Sequence, residues 1–194
     1  MSIMNICKLE ESTWNSRDIS LRHPCRDLSS VDISSEWLRS VLSDMYETLY
    51  STPSGIGLAA PQVGLQLKIV VIDIKRDTKK PLVLFNPSYI GIGDPTEEST
   101  ESCLSVPGVV GKVLRYNQIV VTYVDLLGMN VEKECTGFEA VALQHEIDHT
   151  DGIVYVDKLI PGTEVESAES HIHRLAIKSI DNAYTKVRDI HNEK

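Results

Sequence analysis

No stretch of the sequence approaches the roughly 18 consecutive apolar residues that a membrane-spanning helix needs, so no membrane association is expected. The four cysteines, Cys7, Cys25, Cys103 and Cys135, include no C-x-x-C pair. That argues against a disulfide frame or a finger-type metal site and leaves free thiols or single metal ligands. The opening residues, MSIMNICKLEE, lack a basic segment followed by an apolar one, and Glu10 and Glu11 come early. Neither a secretory signal nor a mitochondrial presequence is expected, which places the chain in a reducing, cytoplasmic setting. Positive charge is also scarce. Nineteen Lys and Arg stand against 28 Asp and Glu, a net charge of −9, which disfavours binding to DNA and to nucleic acid generally. Internal repeats and low-complexity segments are missing as well. What is present is ordinary for a globular chain: 194 residues, 42% hydrophobic and 24% charged. That length suits a single domain over 1–194, with a C-terminal helix and tail from about 165.

The patterning is of the α+β kind. Ile33, Trp37, Val41, Met45 and Leu49 recur every fourth position and predict a helix over 32–50 with that stripe in the core. Asp32 or Ser34 is the expected cap, and Pro53 the stop. The glycine-rich PSGIGLAAPQVG segment, 53–64, reads as an ordered loop or edge segment. β-rich runs follow at 69–74, 82–86, 113–114, 119–124 and 131–135, separated by turn signals. A helix is predicted over 137–149, opened by a Thr136/Glu139 capping box and closed by Gly152 as a C′ glycine. A last helical pattern covers about 165–190, with Ile172, Leu175, Ile180, Tyr184 and Val187 on one face. The expected fold is α+β: antiparallel or mixed small sheets packed around a central helix bearing H-E-x-x-H, with an N-terminal and a C-terminal helix.

The chemistry is concentrated in that central helix. Gln144-His145-Glu146-Ile147-Asp148-His149 contains H-E-x-x-H, which puts two imidazoles one turn apart on one face with a carboxylate beside them. Two histidines do not make a catalytic metal site, so a third ligand is required. Spacing leaves the choice open. Glu164, Glu166 and Glu169 suit a metallo-endopeptidase arrangement, and Cys103 or Cys135 suits a thiolate one. A third histidine of the H-E-x-x-H-x-x-G-x-x-H kind is excluded, because Tyr155 stands there.

Three segments in the same order resemble the peptide deformylases. Gly55-Ile56-Gly57-Leu58-Ala59-Ala60-Pro61-Gln62 matches their GxGLAAxQ motif, Glu101-Ser102-Cys103-Leu104-Ser105 resembles their EGCLS, and Gln144–His149 matches their QHExDH. The resemblance spans at least residues 33–160. It implies hydrolysis of the N-formyl group from the formyl-methionine of nascent peptides, with release of formate. It also implies one divalent metal ion per chain, natively Fe2+, with Zn2+, Ni2+ or Co2+ as substitutes. By that resemblance Cys103, His145 and His149 are the metal ligands and Glu146 the general acid/base. Gln62 and the backbone N–H of Leu104 are the oxyanion donors. Ile56 and Gly57 form the peptide-binding edge, and Glu101 with Arg115 is a supporting ion pair. Two positions depart from the pattern. Ser102 replaces a glycine and is strained if its φ is positive. Thr150 replaces a leucine expected to pack inward.

Val141 and Ala142 precede His145 by four and three residues and so share its helix face. With Phe138 one turn back and Ile56 opposite, they are the expected methionine pocket. The C-terminal 171–194 segment holds five basic and three acidic residues, a local excess of +2 on an acidic chain. That asymmetry raises the expectation of ribosome contact through the C-terminal helix.

Overall fold

The computed structural model describes residues 2–10, 12, 20–76 and 79–179. The architecture is mixed α+β with antiparallel sheets. Two helices lead: α1 (Ser30–Ser34) and α2 (Glu36–Ser51). The single predicted helix is split at Ser35, whose backbone is extended at ψ 147°. Each half has its own serine cap. Ser29 forms a capping box with Asp32, and Ser35 Oγ accepts the Leu38 N–H at 3.1 Å. Serine competes for backbone partners more effectively at a cap than inside a helix, so the S-S pair ends one helix and starts another. The buried face of α2 is Leu38, Val41, Leu42, Met45, Thr48 and Leu49, while Trp37 is 50% exposed. An every-fourth-residue row drifts about 40° per step around a helix of 3.6 residues per turn, so Trp37, at the early end of the row, has rotated off the core face.

A five-stranded antiparallel sheet has the order β1-β2-β3-β6-β7, formed by β1 (Gly57–Ala59), β2 (Ile69–Ile72), β3 (Leu82–Gly91), β6 (Gln118–Val124) and β7 (Asn130–Thr136). A second sheet, order β4-β5-β8, contains β4 (Glu97–Cys103), β5 (Val106–Arg115) and β8 (Glu166–Ser167). All four residues of β2 are buried. Strand alternation sends Ile69 and Val71 into the α2 core, and Val70 and Ile72 into the core formed with α3 (Gly137–Thr150). A strand covered on both faces reads as an unbroken apolar run, which is what IVVI is.

Helix α3 lies against this sheet through Ala140, Leu143 and Ile147. It ends as the sequence predicts: Gly152 adopts φ +77°, and a Cβ there would come within 2.8 Å of the Arg22 carbonyl. Its start differs. Thr136 occupies the N-cap position without a side-chain hydrogen bond. Glu139 pairs instead with Lys133 at 2.5 Å, so the proposed capping box does not form. A third core of Leu9, Leu21, Val106, Val113, Val154 and Tyr155 closes around Cys103. The C-terminal segment is helical over 168–179, here α4, with Ile172 and Leu175 exposed. Ile180, Tyr184 and Val187 of its predicted face lie outside the described residues. No helix among the described residues is long and apolar enough to cross a membrane.

Candidate metal centre

Every residue of α3 from Ala140 to Thr150 is buried, including Gln144, His145, Glu146, Asp148 and His149. Burying polar and charged groups is costly unless each finds a partner, so the partners show what the helix is built to hold. Gln144 is a brace. Its Nε2 donates to the Tyr116 carbonyl at 2.8 Å, and its Oε1 accepts the Tyr116 N–H at 3.0 Å, fastening α3 to the β5–β6 turn.

His145 Nδ1 lies 2.7 Å from Glu101 Oε2, on β4. The same carboxylate accepts two bonds from Arg115 on β5, at 2.7 and 2.8 Å. Arg115 is 1% exposed and reaches Asp148 Oδ2 at 2.5 Å. Lys158 at 2.7 Å and the Tyr89 hydroxyl at 3.1 Å complete the Asp148 shell. Burial works against ionising Glu101, but its bonds to Arg115 and His145 win and hold the carboxyl at about 2. It is therefore a fixed acceptor, and His145 Nδ1 must be the donor. The Nε2 of that ring is left for another partner.

That partner site is shared. The ligand atoms offered by Cys103, His145 and His149 lie within 4.8 Å of one another, and Cys103 Sγ is 3.3 Å from His149 Nε2. Burial alone raises the Cys103 thiol, but the adjacent His149 and His145 pull it well below its usual range. Gln62 Nε2 at 3.5 Å and the Ser105 N–H at 3.4 Å also face the sulfur. Beside the triad, Glu146 Oε2 is buried with no protein partner, and burial raises the Glu146 carboxyl. One soft thiolate, two imidazoles and an unpartnered buried carboxylate suit a divalent transition-metal ion.

Gln62 is held on a 3-10 turn after β1. The Ala59 N–H donates to its Oε1 at 2.8 Å, which turns its amide nitrogen toward Cys103 and Ser105. A cleft of about 600 Å³ opens over these groups and brings together Ile56, Gly57, Gln62, Leu104, Phe138, Val141, Ala142 and Glu146. Gly57 has a steric reason: a Cβ there would lie 2.6 Å from Glu146 Cγ and Cδ. Two free sheet edges border the opening, because β1 and β4 each end their sheets.

The remaining candidate ligands are elsewhere. Cys135 packs in the core between the five-stranded sheet and α3. Glu166 is ion-paired with Arg174 and His171, and Glu164 is exposed; Glu169 is exposed too and joins no ligand cluster among the described residues. Ser102 sits where the β4–β5 register shifts and has no positive φ, so no strain arises there. Thr150 is fully buried, and its hydroxyl donates to the Ile147 carbonyl at 2.8 Å, so the loss of a leucine leaves no unsatisfied group. Sequence reading missed the roles of Gln144, Asp148, Tyr89 and Lys158. The first two lie inside the QHExDH segment and were available; nothing in the sequence marks Tyr89 or Lys158.

Comparison with known proteins places the chain in one family. The family model described as polypeptide deformylase matches residues 5–164. A peptide deformylase of Endomicrobium trichonymphae is 43% identical over 157 residues, covering 81% of this chain and 90% of its relative. The crystal structure of the Thermotoga maritima peptide deformylase matches with TM-score 0.71 and 31% identity, covering 83% of this chain and all of that one. A Synechococcus elongatus peptide deformylase in complex with actinonin matches with TM-score 0.69 and 36% identity, over 82% of this chain and 80% of that one.

Proposed function

This chain belongs to the polypeptide deformylase family, and from that premise we propose that it hydrolyses the N-formyl group of formyl-methionyl nascent peptides in a metal-dependent reaction, releasing formate. The observation that carries the reading is the convergence of Cys103, His145 and His149 beside the buried, unpartnered carboxylate of Glu146.

Cys103, His145 and His149 would hold the ion. When bound, a divalent cation at three protein ligands supplies Lewis acidity and lowers the pKa of water toward ~7. Glu146 takes the proton of the attacking water and returns it to the departing amine. Its burial suits both tasks, because a raised carboxyl pKa narrows the gap between acid and base forms near neutrality. As the formyl oxygen becomes negative, the Gln62 amide and the Leu104 N–H donate to it. Gln62 arrives oriented, since its own carbonyl is already engaged by Ala59. Glu101 and Arg115 fix the His145 ring. The substrate backbone joins the free edge at Ile56–Gly57 as an added strand, and its methionine enters the slot of Ile56, Phe138, Val141 and Ala142.

Fe2+ is the proposed native ion, with Zn2+, Ni2+ or Co2+ as substitutes, and the cytoplasm the proposed location. Contact with the ribosome through the C-terminal segment is a further part of the reading, supported by its +2 charge over 171–194. Truncation after Ala168 is expected to reduce ribosome pelleting at low salt.

The experiment is formate release from a formyl-Met tripeptide by anaerobically purified enzyme. Release by the native chain and loss in Glu146→Ala supports the reading, and no release at any metal loading overturns it.

A further inference from the structure

The N-terminal segment, which the sequence leaves without a role, forms one wall of the cleft. The Cys7 N–H donates to the Gln62 carbonyl and the Leu9 N–H to the Ser105 carbonyl, both at 2.7 Å. These two bonds tie the segment to Gln62 and Ser105, both of which face the Cys103 sulfur. Side chains alternate across it: Leu9 is 2% exposed in the core around Cys103, whereas Ile6 and Lys8 border the cleft.

Lys8 differs from every other ionisable group lining that cleft. Glu101, Cys103, His145 and Glu146 are all buried, and Glu101 is already neutralised by Arg115. Lys8 is exposed and has no ion pair among the described residues. The water-facing wall of the cleft therefore presents one uncompensated cation, on a backbone anchored on both sides.

We propose that Lys8 is a specificity-determining residue: it favours formyl-Met peptides with a side-chain carboxylate at the second or third residue. This rests on the deformylase reading above. The physical basis is a solvent-exposed charge pair, which supports about a two- to fivefold preference at low ionic strength.

The test compares C-terminally amidated formyl-Met peptides carrying Glu or Gln at position two or three, so that a terminal carboxylate cannot contribute. The native enzyme is expected to show a two- to fivefold higher kcat/KM for the Glu peptide. Lys8→Ala should bring that ratio to about one and Lys8→Glu should invert it. Raising the salt to molar levels should flatten it in the native enzyme, because screening then acts within about 3 Å. The same ratio is read as Kd by calorimetry on the Glu146→Ala protein, which separates this inference from turnover. A Glu/Gln ratio identical in the native and Lys8→Ala proteins overturns the role of Lys8. Absence of formate from every peptide, with a Lys8-dependent Kd ratio retained, overturns the deformylase reading alone.

Discussion

The Glu101 carboxylate and the His145 imidazole meet at 2.7 Å, between Oε2 and Nδ1. One carboxylate thus joins the second sheet to α3, fixes the His145 tautomer and accepts from Nε and Nη2 of Arg115. Its loss should loosen the ligand without removing it. Glu101→Gln is expected to weaken metal affinity by about 10- to 100-fold, read by competition against a chelator. Unchanged affinity would show that α3 packing alone orients the ring.

Gln62 touches the site through one amide nitrogen, and its Oε1 is engaged by Ala59. Removing a single oxyanion donor typically lowers kcat by about 10²–10³-fold. Gln62→Ala should fall in that range with stoichiometric metal retained, as measured by steady-state kinetics beside metal analysis. A loss of metal in step with activity would reassign Gln62 to holding Cys103.

Gly57 is a steric requirement of the Glu146 carboxylate, since an added Cβ would come within 2.6 Å of it. Gly57→Ala should displace Glu146 and lower kcat by about 10²-fold, with metal content and melting temperature near those of the native chain. Full activity would mean that Glu146 works from a different rotamer.

Ala142 faces the cleft from the turn of α3 that precedes His145. Ala142→Trp should fill the proposed methionine slot and raise KM for formyl-Met peptides about tenfold or more. A thermal melt on the same sample separates a blocked pocket from a disturbed core. An unchanged KM removes Ala142 from the pocket.

Asp32 gives a pH-dependent stability away from the site. Its bond from Arg26 and its bonds within the Ser29 capping box hold the carboxyl at about 2, below its ordinary value of 3.8. A depressed native pKa stabilises the fold above pH 4, and that contribution disappears as the pH falls toward 2. The stability difference between the native chain and Asp32→Asn, from denaturant unfolding, should be constant above about pH 5 and vanish near pH 2. A difference that persists to pH 2 would place the effect in packing.

The sequence alone identified the family, because its motifs depend on residue identity at fixed short spacing. His145 and His149 share a helix face whatever surrounds them; spacing left their third partner open, the family resemblance implied Cys103, and the fold brings its sulfur to them. The sequence also determined the stop of α3 at Gly152, where only a left-handed turn fits. Tertiary structure decided whatever depends on which face is covered. Trp37 turns outward because the core meets α2 along a row that every-fourth spacing does not mark. Glu139 leaves its cap for Lys133, a strand neighbour with no local signal. Tyr89 and Lys158 reach Asp148 from segments 59 and 10 residues away, and Lys8 is held at the cleft by the bonds of its neighbours Cys7 and Leu9 to the carbonyls of Gln62 and Ser105. Contacts of that kind carry no periodicity along the chain, so only the packed fold specifies them.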